Sequence, residues 1–203
     1  MNKQDLPQHS YPIFYAFVAL LVCSIPFGAL VATTQADDTF SPAKVSVHFS
    51  PKGGATETVV HEIGEAKSQI LIQAYSFTSA PIAKALLNAV KRGGVKIHVI
   101  LDRSNETDKY SAATFLNNAG IETQIDDQHG IAHNKIMIID NATIITGSFN
   151  FTKAAEERNA ENLLVIKDSP DLVKQYTENF NLHAMHAHAY VPGQVSAKNT
   201  KKR

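Results

Sequence analysis

The chain has 203 residues, with 19 basic and 19 acidic side chains, and 44% of its residues are hydrophobic. That balance excludes a disordered polyanion or polycation, and any contact with a charged polymer must come from local concentration of charge. One cysteine, Cys23, lies in the N-terminal apolar run, which excludes a thiol nucleophile or a zinc–thiolate site from the rest of the chain.

Residues 13–32, IFYAFVALLVCSIPFGALVA, are uncharged and largely apolar. Pro26 and Gly28 break the run near its end, and Thr34-Gln35-Ala36 supplies small residues before Asp37. This predicts an export signal over 1–36, cleaved after Ala36, and a protein delivered to a bacterial periplasm or secreted. The alternative is an uncleaved membrane anchor, since the run has about the length of a span. Removing Lys3 and Asp5 takes 19 against 19 to 18 against 18, so the mature chain stays neutral. The roughly 165 residues that remain suffice for one core.

Val45 to Phe49 alternates like a strand, and Thr56 to Lys67 has helical spacing. Gln69 to Tyr75 reads as a strand, followed by a helix capped at Ser79 and stopped at Gly93-Gly94. Tyr75 and Ser76 sit where a strand leads into a helix, a place suited to lining a substrate groove and equally to a turn. Val95 to Leu101 reads as a buried strand, Lys109 to Asn118 as a helix, and Ile121 to Ile125 as a short strand.

Ile131 to Asn150, IAHNKIMIIDNATIITGSFN, sets polar groups into two apolar β-patterned segments. Asp140-Asn141 predicts a two-residue hairpin turn, because both residue types tolerate positive φ. Such a turn sets His133 opposite Ser148 and Lys135 opposite Thr146, and gathers His133, Lys135, Ser148 and Asn150 on one side. Lysine suits phosphate oxygens, Ser and Asn donate further hydrogen bonds, and histidine can attack or shuttle a proton near neutral pH. The combination points to displacement at phosphorus with cationic and dipolar stabilisation, without a metal or other cofactor.

The spacing H-x-K-x4-D-x6-G-S-x-N, filled by His133, Lys135, Asp140, Gly147, Ser148 and Asn150, is identified as the signature of the phospholipase D superfamily. Gln73 to Leu86 and Thr146 to Ile166 extend the resemblance to the small single-motif bacterial endonucleases of that superfamily. The resemblance implies a metal-independent hydrolase of phosphodiester bonds in DNA, with RNA as a further substrate. It implies a histidine nucleophile, a phosphohistidine intermediate, and a second histidine for the leaving group. Lys135 and Asn150 would hold the non-bridging oxygens, with Gly147 allowing close approach. One motif per chain then implies a homodimer with His133 of both copies across the axis. Phospholipid diesters are the alternative substrate, with a membrane contact if the leader is retained, and a non-catalytic binding protein is a third reading.

Glu161, before an apolar strand, is by the same resemblance the carboxylate that orients the catalytic imidazole; an ordinary strand-start carboxylate is the other reading. Asp140 is a motif member, yet a turn aspartate that binds its own backbone explains it equally well. Lys153 to Glu157 reads as a helical turn, Asn162 to Ile166 as a strand, and Pro170 to His183 as a helix. His183, His186 and His188 close that helix and read as incidental, solvent-exposed histidines rather than a metal site. Residues 191–203 read as a flexible basic tail; Lys198, Lys201, Lys202 and Arg203 there join Lys153 and Arg158 as candidate contacts to a polyanion. Strands alternating with helices, plus one hairpin, predict a single α/β domain over 37–190, with a mixed sheet covered on both faces.

Overall fold

The computed structural model describes residues 43–195; residues 1–42, which include the expected export signal, and residues 196–203 of the expected basic tail lie outside them. The strands are β1 (Lys44–Ser50), β2 (Gln69–Ala74), β3 (Lys96–Asp102), β4 (Glu122–Asp126), β5 (Lys135–Ile139), β6 (Thr143–Gly147), β7 (Glu161–Lys167) and β8 (His188–Ala189). They form one sheet in the order β1-β7-β6-β5-β2-β3-β4-β8. β2, β3 and β4 run parallel to one another, and every other neighbour pair is antiparallel. The expected mixed sheet is what the chain builds.

Helices α1 (Ala55–Glu65), α2 (Ala80–Arg92), α3 (Ala113–Asn118), α4 (Lys153–Glu157) and α5 (Pro170–His186) complete the fold. The larger core joins Val59 and Ile63 of α1, Ile82 and Leu86 of α2 and Leu116 of α3 to Ile72, Val99, Met137 and Ile145 of the sheet. The opposite face packs Leu71, Ile100, Ile138 and Ile144 under Val173 and Phe180 of α5. Period-two alternation along β2 and β5 sends successive side chains to the two cores, which is why both strands read as unbroken apolar runs.

Three local expectations need correction. Ser79 occupies the N-cap position of α2, but its hydroxyl makes no capping bond, and Pro81 in the first turn favours the helix start instead. The helix expected from Lys109 begins only at Ala113, because Asp108 accepts the Tyr110 N–H and Ser111 accepts the Ala113 N–H in turns. The hairpin pairs Ile139 with Thr143, so its loop is the three residues 140–142. Asp140 and Asn141 do adopt positive φ, 53° and 52°. The register is thereby moved by one residue, and Lys135 falls level with Gly147 rather than Thr146.

The pairing directions bring the carboxyl ends of β1, β2, β3, β4 and β6 and the amino ends of β5 and β7 to one edge of the sheet. Ser50, Tyr75, Asp102, Asp126, Lys135, Gly147 and Glu161 therefore share that rim, the usual ligand side of an α/β sheet. No helix among the described residues is long and apolar enough to cross a membrane.

Candidate active site

At the rim, β5 begins with Lys135, which is 7% exposed, and the exposed His133 precedes it. Lys135 Nζ donates to the His133 carbonyl oxygen at 2.8 Å. The Tyr75 ring lies 4.6 Å from the His133 ring and 5.0 Å from Lys135 Nζ. The Tyr75 N–H donates to the Asn134 carbonyl at 2.8 Å, clamping the end of β2 to the motif. Tyr75 thus braces both the imidazole and the ammonium, and half-buried Ser76 follows it.

Burial pushes the Lys135 ammonium below its ordinary range, and the charge of Glu161 opposes that shift. Among the described residues Lys135 has no ion pair, so its charge is held for something the chain does not supply. Glu161 is the first residue of β7 and accepts a hydrogen bond from Asn159 Nδ2 at 3.0 Å. Among the described residues it bonds to Asn159 and its charge acts on Lys135, with no hydrogen bond to His133.

Gly147 ends β6 with φ at 139°. A Cβ there would sit 2.2 Å from the Asn162 carbonyl oxygen, so no larger residue fits. The N–H groups of Ser148 and Phe149 both donate to that oxygen, at 3.0 and 3.2 Å. The Asn162 N–H returns a bond to Ser148 Oγ at 3.0 Å. Two residues against one is a bulge, and it breaks the alternation that a plain ladder would impose. The Ser148 hydroxyl belongs to this clasp between β6 and β7. Phe149 and Phe151 anchor the segment in the core, and Asn150 between them keeps a buried Oδ1 with no partner among the described residues.

Asp140 stands apart. It lies at the far end of β5, roughly 15 Å of strand from Lys135. Its carboxylate accepts the N–H groups of Lys67, Ser68 and Gln69 and the Ser68 hydroxyl, at 2.8–2.9 Å. Those bonds outweigh burial, which acts to raise it, and hold its carboxyl below the ordinary range. These bonds are the ones the turn reading of this motif member expects.

The C-terminal histidines are also organised rather than incidental. His183 and His186 gather with His129 around Asp126, while His188 meets Glu106 at 3.3 Å. Burial disfavours the Asp126 charge, but bonds from His183, the Gln128 N–H and His186 bring its carboxyl down to about 2. The sequence signals were D-x-x-H at 126–129 and H-x-x-H at 183–186, the latter placing two imidazoles on one helix face. Lys153, a candidate polyanion contact, pairs with Glu157 at 3.5 Å.

Residues 59–184 match the family described as cardiolipin synthase, PLD-like domain. A phospholipase D of Rickettsia conorii is 46% identical over 140 residues, 69% of each chain. The chain belongs to the phospholipase D superfamily. Among solved structures of that superfamily, Nuc from Salmonella typhimurium aligns with a TM-score of 0.70 and 40% identity, over 73% of this chain and 99% of Nuc. NucT from Helicobacter pylori aligns with a TM-score of 0.68 and 25% identity, over 73% of this chain and 100% of NucT. The mouse mitochondrial cardiolipin hydrolase is 31% identical over 115 residues, 57% of this chain and 51% of the relative. This is a phospholipase D superfamily hydrolase, with its signature residues on the ligand rim of the sheet and Asp140 beneath them.

Proposed function

We propose that this hydrolase cleaves phosphodiester bonds of DNA, and of RNA as a second substrate, with little sequence preference and no metal in the reaction. One observation carries the reading: an exposed imidazole, His133, is fixed beside a buried ammonium, Lys135, that has no ion-pair partner among the described residues. Support also comes from the 40% identity to Nuc across nearly all of that protein.

In the proposed chemistry, one His133 ring nitrogen attacks phosphorus and a P–N bond forms as the P–O bond to the leaving group breaks. A second imidazole gives its proton to the departing oxygen. It then takes a proton from water, whose oxygen attacks phosphorus and releases the histidine. Lys135 and the Asn150 amide bind the non-bridging oxygens, where charge builds up. The second imidazole is His133 of another copy in a two-fold homodimer. The exposed Phe49 (64%) and Ile131 (59%) support this pairing, since apolar side chains in such positions suit burial against a partner.

A second reading, hydrolysis of phospholipid diesters, is favoured by the Rickettsia relatives that are called phospholipase D. An apolar groove of about 500 Å³, lined by Ala83, Leu87, Tyr110 and Phe115 and reaching Thr78, has room for an acyl chain. The test offers plasmid DNA and phospholipid vesicles separately, in excess EDTA at 25 °C. Nicking of DNA with intact vesicles supports the nuclease; turnover of vesicles alone replaces it with the lipase. An acid-labile, base-stable label on His133 from a labelled diester identifies the nucleophile. Sedimentation of the active species tests the dimer, and a fully active monomer would refute it. We further propose that the leader exports the protein to the periplasm, which N-terminal sequencing of purified protein would check: a start at Asp37 means cleavage, and a retained leader means an anchor.

A further inference from the structure

Away from the motif, the end of β4 carries a second gathering of ligating groups. Asp126 is 1% exposed, and its Oδ1 accepts the Gln128 N–H at 3.0 Å. Its Oδ2 faces His183 Nδ1 at 2.7 Å, His129 Nδ1 at 3.0 Å and His186 Nε2 at 3.3 Å. The ring centroids are 4.8 to 5.4 Å apart, and the four ligand atoms all lie within 4.8 Å of one another.

Hydrogen bonding alone serves this arrangement poorly. Three ring nitrogens converge on one carboxylate oxygen, so each ring must turn an N–H to that atom. Each neutral ring can do so by its choice of tautomer, yet three donors then crowd one oxygen that has two lone pairs. A cation at the centre removes the conflict, because neutral imidazoles then offer lone pairs and the carboxylate offers charge. The dimensions are close. Tetrahedral zinc with bonds of about 2.0–2.1 Å has ligand–ligand edges of about 3.3 Å. The nitrogen-to-oxygen separations of 2.7–3.3 Å lie at or just under that edge, and the ligand atoms, spread over as much as 4.8 Å, draw inward around the ion by side-chain rotation. The Gln128 N–H on Oδ1 orients the carboxylate as an outer partner does.

We propose that Asp126, His129, His183 and His186 form a closed four-ligand site for a transition metal of the zinc class. Nitrogen and carboxylate ligands without thiolate suit zinc and its divalent neighbours. The metal joins the last turn of α5 to the segment that runs from Asp126 to His133. That segment is held on its other side by Asp102 Oδ2, which accepts the Ala132 N–H at 2.8 Å. The site therefore fastens the approach to the catalytic imidazole without entering the reaction. It stands whether the substrate is nucleic acid, lipid or neither.

The test uses the full chain, stripped with EDTA, dialysed and titrated with zinc sulfate. The His129→Ala/His186→Ala double variant is titrated beside it; both rings are partly exposed, so the fold is retained and is verified by circular dichroism. The result expected is one zinc per chain with submicromolar affinity. A rise in thermal midpoint of about 5–10 °C at 100-fold saturation should accompany it. Cobalt(II) should show the intense visible absorption of a tetrahedral site. The double variant should bind at least about 100-fold more weakly, whereas His188→Ala and His133→Ala should bind as the parent does. Absence of stoichiometric binding by the parent, or equal binding by the double variant, would overturn the site. So would loss of binding in His188→Ala or His133→Ala.

Discussion

Lys135 Nζ donates to the backbone carbonyl of His133 at 2.8 Å, so the first residue of β5 is tied to the residue that carries the imidazole just ahead of the strand. The Tyr75 N–H bond to the Asn134 carbonyl at 2.8 Å pins the residue between them. Tyr75, just past the end of β2, sets its ring 4.6 Å from the His133 ring and 5.0 Å from Lys135 Nζ. The arrangement holds imidazole and ammonium side by side at the sheet rim, and the proposed chemistry would use that preset spacing.

Replacing His133 with Ala should abolish turnover and leave stability nearly unchanged. The side chain is exposed, and exposed substitutions shift stability by about 0.5 kcal/mol or less. Loss of a nucleophile lowers kcat by about 10⁴-fold or more. Diester hydrolysis and urea unfolding measured on the same preparation separate the two effects. Equal loss of activity and stability would remove His133 from the chemistry.

Lys135→Met should lower kcat by about 10²–10³-fold while matching or exceeding the parent in thermal stability. Burial depresses the folded-state value of Lys135 below that of the unfolded chain. Between the two values the unfolded chain binds more protons, so the contribution of Lys135 to stability improves as pH rises through that window and is unfavourable below it. The alkaline limb of kcat/KM should accordingly fall below the ordinary lysine value of about 10.4. Thermal melts at pH 7 and a pH–rate profile check both halves.

The apolar runs of β2, β3 and β5 made the α/β fold readable, since burial on both faces needs little beyond β-branched residues. The motif made His133, Lys135 and Asn150 readable for the same reason: polar groups in such runs stand out. The one-residue error in the hairpin came from counting Asp140-Asn141 as the whole turn, although Ala142 also belongs to the loop. The bulge at Gly147 then changes the side-chain alternation beyond it, and neither event has a local signature strong enough to read. Glu161 was placed at the right strand end, but its contact with Asn159 is set by packing. The Asp126 cluster was missed because its members meet only after α5 docks across the sheet end.

Asp140→Asn should cost about 1–3 kcal/mol at neutral pH and leave chemistry intact below the melting range. The native carboxylate accepts bonds from three main-chain N–H groups and one hydroxyl, and an amide offers a single acceptor oxygen. The folded-state carboxyl lies below its ordinary 3.8, so the stabilisation is complete above that value and is lost as pH falls through the depressed one. The gap between parent and variant in urea midpoint should therefore close on acidification below about pH 4. A gap that widened in acid would contradict the turn role.

Gly147→Ala should be the most damaging of these changes, at about 3 kcal/mol or more. Two independent penalties coincide at that position. The φ of 139° lies outside what an L side chain adopts, and the added carbon would meet the Asn162 oxygen at 2.2 Å. The backbone must retreat, and it carries the Ser148 and Phe149 N–H bonds to that same oxygen with it. Asn150 directly follows Phe149, whose N–H bonds to that oxygen, and it moves with the segment, so activity should fall even where the variant remains folded. Residual activity compared with Asn150→Ala, at a temperature where both are native, checks the coupling: a folded Gly147→Ala protein with parental kcat would show that the bulge does not position the amide.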